Sequence, residues 1–394
     1  MPSSGLTRFL LLPELKLTAS YRAGFDHRIV KCEKAALKEF CPRCAKPSET
    51  IYDRRKIRIK DSPLRTNKIV LEIKKRRLWC KTCKKPFTES ISGIGKGKRH
   101  TERFERDLRW ACDTFANLKQ VRREYKVSAC YVYKTYYRQL ELRRRKNLNP
   151  WPKTIAIDEH SFKRNKYYGH TEFASVIIDY TNKRVKELVE GKTSAALQDQ
   201  LAYIPERENV KNVVIDMCDP FKGFAKNFFP NARIVADKFH VLRLLSPAIL
   251  SLRREITGTK ADLRARKLLL MSGKKLDYDR RWALKEYLSR YPELAELYYW
   301  KEQLHKFYRT RGYHNASRSI KNMIDRMSFS TIKQVRTLRK TLLKWKEEIL
   351  NYFLTGLTNG RTEGFNNKAK LVKRMAYGYK SFRNYRLRLL NACS

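Results

Sequence analysis

The pattern of apolar and polar positions is strand-like over residues 1 to about 98 and helical from about 100 to 146. Gly93, Gly95 and Gly97 close the first stretch as a linker. Within it, IYDRRKIRIK to IVLEIKKRRLW predicts a β-hairpin. In the helical stretch, Phe104, Leu108, Ala111, Cys112 and Phe115 fall on one face of a first helix, and Leu118, Val121 and Tyr125 on a second. After the link Lys126-Val127, Ser128 can cap a third helix whose Val132, Tyr136 and Leu140 face inward. Asn149-Pro150-Trp151-Pro152 then breaks the chain and marks a domain boundary.

From Lys153 the pattern is α/β. Strands are expected at Thr154–Ile157, Glu172–Ile178, Arg184–Val189, Val210–Ile215 and Ala232–Val235, with helices at Ser194–Tyr203 and Phe221–Phe228. Three strands, a helix, a strand, a helix and a strand is the order of a ribonuclease-H-like mixed sheet. Between about Val241 and Leu354 strand signals stop, and Leu242, Leu245, Ile249 and Leu252 recur at helical spacing. Trp282, Trp300 and Trp345 read as core residues of that all-α insertion. The fold class is multidomain α/β. A β-rich domain (1–98) and a helix-turn-helix (99–149) precede the sheet (150–240); the insertion (241–354) and C-terminal helices (355–394) follow.

Charge narrows the partner. The 394 residues hold 88 Lys+Arg against 39 Asp+Glu, a net +49 spread along the whole length. Such a chain repels itself unless it meets a polyanion, and phosphate backbones supply one through counterion release. The 22 Tyr among these cations favour nucleic acid over a membrane surface. With no run of about 18 apolar residues, no membrane span is expected. RFLLLPEL, cut by Pro13 and Glu14, does not read as a signal peptide. Nine Cys, four of them in two CxxC pairs, point to metal ligation in a reducing cytoplasm and away from a disulfide frame.

Those pairs are Cys41-Pro-Arg-Cys44 and Cys80-Lys-Thr-Cys83. Each can present two thiolates, so together they complete a tetrahedral site for structural Zn²⁺. On the third helix the outward face carries Tyr131, Lys134, Thr135 and Arg138, suited to a DNA major groove, and Arg143, Arg144 and Arg145 follow as phosphate contacts.

Three acids carry the candidate chemistry. Asp158 in TIAIDEHS and Asp216 in VVIDMCDPF each end a β-branched run, while Glu363 in NGRTEGFNN opens a helix-like stretch. In a ribonuclease-H-like sheet the first two fall on neighbouring strands and the third on a helix beside them. Phosphodiester cleavage with two Mg²⁺ or Mn²⁺ about 3.5–4 Å apart needs carboxylates converging in this way. Asn366, Asn367, Lys370 and Lys373 follow Glu363, offering groups that reach phosphate. Asp237 and His240 in VADKFHVL are second-tier site residues, with Asp237 a competitor for the second acid. Asp219 reads as a helix cap before Pro220, Asp179 as a turn residue, and Glu159 as pointing to the opposite sheet face.

The strings AIDEHS, VVIDMCDPF, ADKFHVLRL and TNGRTEGFNNKAKLVKRMAYGY resemble the DDE transposases of bacterial insertion sequences. Within these, the chain is most similar to the group with an N-terminal four-cysteine zinc finger, a helix-turn-helix and a long helical insertion in the ribonuclease-H-like domain. The resemblance spans about Leu12 to Leu390. It implies Asp158, Asp216 and Glu363 as the magnesium-binding triad, with double-stranded DNA as partner: terminal inverted repeats and target DNA. A homodimer on DNA, in the bacterial cytoplasm at the nucleoid, is implied too, with no membrane and no small-molecule substrate. Two other readings keep parts of this picture: a non-catalytic zinc-finger and helix-turn-helix regulator, and a ribonuclease-H-like nuclease acting on RNA–DNA hybrids.

Overall fold

The computed structural model describes residues 11–65, 67–146, 149–164, 171–258 and 263–393. Arg8–Leu10, the start of the N-terminal apolar run, lie outside the described residues. The chain divides into two compact units, Met1–Leu142 and Arg143–Ser394.

In the first unit, β1 (Leu15–Gly24), β2 (His27–Lys34), β5 (Ile51–Leu64) and β6 (Asn67–Cys80) form a sheet in the order β1-β2-β6-β5, with β7 (Lys85–Thr88) also on β6. The expected hairpin is the long antiparallel pair β5–β6. Alternation buries Ile59, Leu71 and Ile73 against Leu12, Leu15, Cys32 and Ile91, leaving the opposite face to charged residues. The short pair β3 (Glu39–Phe40) and β4 (Pro47–Ser48) brackets the first CxxC.

Three helices follow: α1 (Glu102–Thr114), α2 (Leu118–Tyr125) and α3 (Ala129–Lys146). Each begins at a side-chain cap, with Thr101, Asn117 and Ser128 accepting from the backbone N–H groups of Phe104, Gln120 and Tyr131. Phe104, Leu108, Ala111, Cys112, Val121, Val132, Tyr136 and Leu140 are buried. Phe115 is not on the helix face predicted for it: α1 ends at Thr114 and Phe115 caps it in extended backbone. Asp61 of β5, almost wholly buried, accepts from the Thr101 hydroxyl at 2.6 Å and from Arg103 Nε at 2.6 Å. That bond locks α1 to the sheet, and removing one partner of such a pair costs about 3–5 kcal/mol.

The second unit is built on β8 (Thr154–Arg164), β9 (Thr171–Asp179), β10 (Arg184–Glu190), β11 (Asn212–Ile215) and β12 (Arg233–Ala236), in the order β10-β9-β8-β11-β12. The first three are antiparallel; β8, β11 and β12 are parallel, as a ribonuclease-H-like sheet requires. Helix α4 (Ser194–Leu201) follows β10 and α5 (Asp219–Phe228) follows β11. Ile155, Ile157, Val213 and Ile215 face a large core shared with these helices and the insertion. Ala156, Val176, Val214 and Val235 face a second core, closed by the helices Gly360–Met375 and Phe382–Ala392.

The insertion is helical among the described residues, and Leu245, Ile249, Leu252, Trp300 and Trp345 are buried in it. Trp282 departs from its expected core position and is 61% exposed. The helix Tyr278–Ser289 buries only Leu284, so it packs by a narrow stripe that excludes the indole. Asp219 is the first residue of α5 instead of its cap, and pairs with Lys344 at 2.5 Å.

Candidate active site and nucleic-acid interface

The parallel register sets Ile157 of β8 beside Ile215 of β11, and Ile215 beside Ala236 of β12. The next residues are Asp158, Asp216 and Asp237, so three carboxylates leave adjacent strands at one level. Residues two places earlier on each strand, Ala156, Val214 and Val235, belong to the core under Gly360–Met375. By alternation the three acids share that side, and Glu159 takes the other, where it pairs with Lys192 at 3.2 Å.

Each acid has a different environment. Asp158 accepts from the Glu159 backbone N–H at 2.8 Å and from Asn366 Nδ2 at 2.9 Å, yet burial still holds its carboxyl above the usual range. Asp216 is pushed up to about 6, first by burial and then by repulsion from Asp158. Its Oδ1 is buried without a hydrogen-bond partner, and its Oδ2 lies 3.9 Å from His240 Nε2. Asp237 is buried and fully engaged: Oδ1 accepts from the Asn359 backbone N–H at 2.8 Å, and Oδ2 meets His240 Nδ1 at 2.9 Å. The bond to Asp237 holds His240 above its ordinary pKa. Asp237 therefore orients the imidazole and anchors the turn before the Glu363 helix, while Asp216 keeps an oxygen available.

Glu363 stands exposed in the first turn of Gly360–Met375. Asn366, three residues on and so on the same helix face, is the side chain that reaches Asp158. Among the described residues, only the four finger cysteines form a group of three or more metal-type side chains with ligand atoms within 4.8 Å of one another. The carboxylates thus stand in a wider arrangement than a single closed ion site. Their donors are hard oxygens, two of the acids are held toward protonation, and one buried oxygen is unpartnered. That set suits a hard divalent cation such as Mg²⁺.

Farther along the same helix, Asn367 and Lys370 are exposed, whereas Lys373 donates to the Ser161 carbonyl and burial lowers its pKa. His160 stands in the AIDEHS string without a role that the string assigns to it. It is buried, its Nε2 lies 2.6 Å from the Tyr385 hydroxyl, and burial pushes it down to about 4, so it is neutral. Its place two residues after Asp158 on one strand is the signal that could have found it. Asn359, legible in the sequence only as part of a turn, places its Nδ2 3.5 Å from the Ile157 carbonyl and fixes the helix start beside β8.

In the first unit the four cysteines converge. Cys41 and Cys83 sulfurs lie 3.9 Å apart, and Cys44 and Cys80 sulfurs 3.6 Å apart. A tetrahedron with Zn–S bonds of about 2.3 Å has edges of about 3.8 Å. Each knuckle turns tightly, with Ala45 and Lys84 at positive φ just after it. A backbone N–H at Arg43 leads the causes that lower the Cys41 thiol to about 7. This is a zinc ribbon with its ligands already in place.

On α3, Lys134 and Arg138 are exposed and Thr135 is half-buried. Tyr131 is held back: its hydroxyl lies 2.8 Å from His100 Nε2 and the two rings pack 5.0 Å apart. In the second unit, Arg143 donates to Asn391 at 2.9 Å and Arg145 is exposed. Arg144 differs, donating to buried Glu187 at 2.6 Å beside Arg386, which does the same. That ion-pair cluster commits Arg144 to the fold and away from phosphate.

Among the described residues no helix is long and apolar enough to cross a membrane. A family model described as a transposase matches residues 155–389, more than half of the chain. A second, the zinc-finger of transposase IS204/IS1001/IS1096/IS1165, matches residues 38–83. The transposase for insertion sequence element IS1001 of Bordetella parapertussis is 25% identical over 358 residues, covering 86% of this chain and 85% of that protein. A short similarity, 38% over 55 residues, to an ATP-dependent protease of Lactococcus lactis subsp. lactis covers 14% of this chain and 18% of that protein. With sheet, finger and family matches in agreement, the chain belongs to the ISL3 family of insertion-sequence transposases.

Proposed function

We propose that this transposase binds the terminal inverted repeats of its element, cleaves the ends by hydrolysis and joins the freed 3′-OH to target DNA. Asp158, Asp216 and Glu363 would hold Mg²⁺ or Mn²⁺. Such cations, when bound, supply Lewis acidity at phosphorus and a deprotonated oxygen nucleophile. The protein's own part is to build and steady the cradle. Asn366 orients Asp158, and Asp237 fixes His240, whose Nε2 lies 3.9 Å from Asp216. Asn367 and Lys370 continue the Glu363 helix and are placed to hold backbone phosphates.

Recognition is assigned to the finger and helix-turn-helix, with Lys134, Thr135 and Arg138 toward base edges and Arg143 and Arg145 toward phosphates. Tyr131 serves there once released from His100. A homodimer bridging two element ends, acting at the nucleoid in the cytoplasm, completes the reading. Residues 1–98, 99–149, 150–240, 241–354 and 355–394 would be its finger, reader, sheet, insertion and Glu-bearing segments.

The observation that carries the catalytic reading is Asp216 beside Asp158, held near pKa 6 with a buried oxygen left unpartnered. Unpaired buried acids are costly unless a cation joins them. Glu363→Gln tests it: end binding should persist while Mg²⁺-dependent cleavage falls by a factor of a thousand or more (order of magnitude, about 4 kcal/mol of transition-state stabilisation). Undiminished cleavage removes Glu363 from the mechanism.

A further inference from the structure

The β5–β6 hairpin carries a charge pattern that its own folding does not favour. Arg54 stands directly opposite Arg76, Arg55 opposite Lys75, and Lys56 opposite Lys74. Like charges facing each other across antiparallel strands destabilise the pair. These rows fall where β6 has left β2, whose pairing ends at Ile73, and has not yet met β7, whose pairing begins at Arg77. The neck leading to the zinc knuckles is therefore a two-stranded ribbon.

Other cations of this hairpin have acids beside them: Arg77 has Asp53 at 2.8 Å, Arg58 has Glu72 at 3.1 Å, and Arg76 has Glu89 at 2.7 Å. Among the described residues Arg54, Lys56, Lys74 and Lys75 make no ion pair within 4.0 Å. Glu33, whose carboxylate Lys74 influences, is itself held by Lys16 at 2.9 Å. Arg54, Lys56 and Lys74 are exposed and, by alternation and register, lie on one face. Residues two apart on a strand are about 6.8 Å apart, comparable with the step from one phosphate to the next along a DNA strand.

We propose that this neck is a DNA-binding surface in its own right, laying Arg54, Lys56 and Lys74 along one phosphate backbone of duplex DNA without reading bases. It rests on the reading of the protein as a DNA-binding transposase and adds a surface separate from α3. The repulsion built into the rows is relieved when phosphates intervene, so the ribbon and its polyanion stabilise each other.

The test uses the full-length, zinc-loaded protein, with duplex DNA affinity measured across KCl concentrations. The combined variant Arg54→Gln, Lys56→Gln, Lys74→Gln should flatten the slope of log K against log salt by about 2.7, roughly 0.9 for each phosphate no longer neutralised. The weakening should be equal on element-end and scrambled duplexes. Free of DNA, the variant should keep its zinc and melt no lower than the parent, because like charges have been removed. An unchanged slope overturns the proposal, as does a weakening confined to element ends, which would make these side chains base readers. A lower melting temperature with zinc loss overturns it too, because the residues would then be structural. A flattened slope in a protein that cleaves no DNA supports the ribbon while removing the transposition reading.

Discussion

The finger and the sheet each carry metal-type side chains, but they set them in opposite ways. Four sulfurs in the finger lie within 4.8 Å of one another, set on tight knuckles at the end of a hairpin. Around them the core is small, with Leu78 and Phe87 as its apolar members. In the sheet, Asp158 and Asp216 leave strands buried between two large cores, and Glu363 comes from a helix across the face. A closed thiolate set over little core fits a metal that holds the fold. An open carboxylate set on a core that stands without it is what the proposed catalytic metal site would need.

The largest break in that contrast is Cys80→Ser. Zinc binding in small fingers supplies about 10–16 kcal/mol of folding free energy, far more than the few apolar neighbours of Cys80 can. The variant should lose its zinc, and protease should nick the finger while sparing the Arg143–Ser394 unit. Metal analysis and limited proteolysis read both; a variant that keeps its zinc would show that the four thiolates are not what holds the finger together.

Asp216→Asn gives a smaller effect of opposite sign. The Asp216 carboxyl is raised from 3.8 to about 6, so the folded protein binds that proton more tightly than the unfolded chain. Its contribution is therefore a cost, fully present above about pH 6 and fading as pH falls toward about 4. The rise corresponds to roughly 3 kcal/mol. With zinc loaded and no Mg²⁺ added, Asp216→Asn should be more stable than the parent at pH 8 by up to about that amount, with the gain vanishing near pH 4. Melting curves across pH measure it, and a pH-independent difference would show that burial of charge is not what distinguishes Asp216.

How much of this was legible in the residues depended on range. Local signals worked: the cap Ser128, the hairpin between the CxxC pairs, and the β-branched runs that became β8 to β12 are all properties of short segments. The insertion was legible as helical, but not in which indole it buries; Trp282 lies outside because helix packing, not hydrophobicity, assigns faces. Arg144 looked like a phosphate contact in its basic run, and only the fold brings buried Glu187 to it. Roles created by long-range meetings were also hidden: Asn366 on Asp158 across 208 positions, and Asn359 on Asp237 across 122. The sequence ranks Asp237 second to Asp216 only by strand length, and the structure adds that Asp237 has both oxygens occupied.

The claim on which all of this turns is that the carboxylates hold divalent cations. Titration of Mn²⁺ into the zinc-loaded protein, followed by the loss of the free-ion paramagnetic resonance signal, tests it without requiring DNA or turnover. Binding by the parent that disappears in Asp158→Asn, with zinc content unchanged, is the predicted result. Identical Mn²⁺ uptake by parent and variant would contradict it.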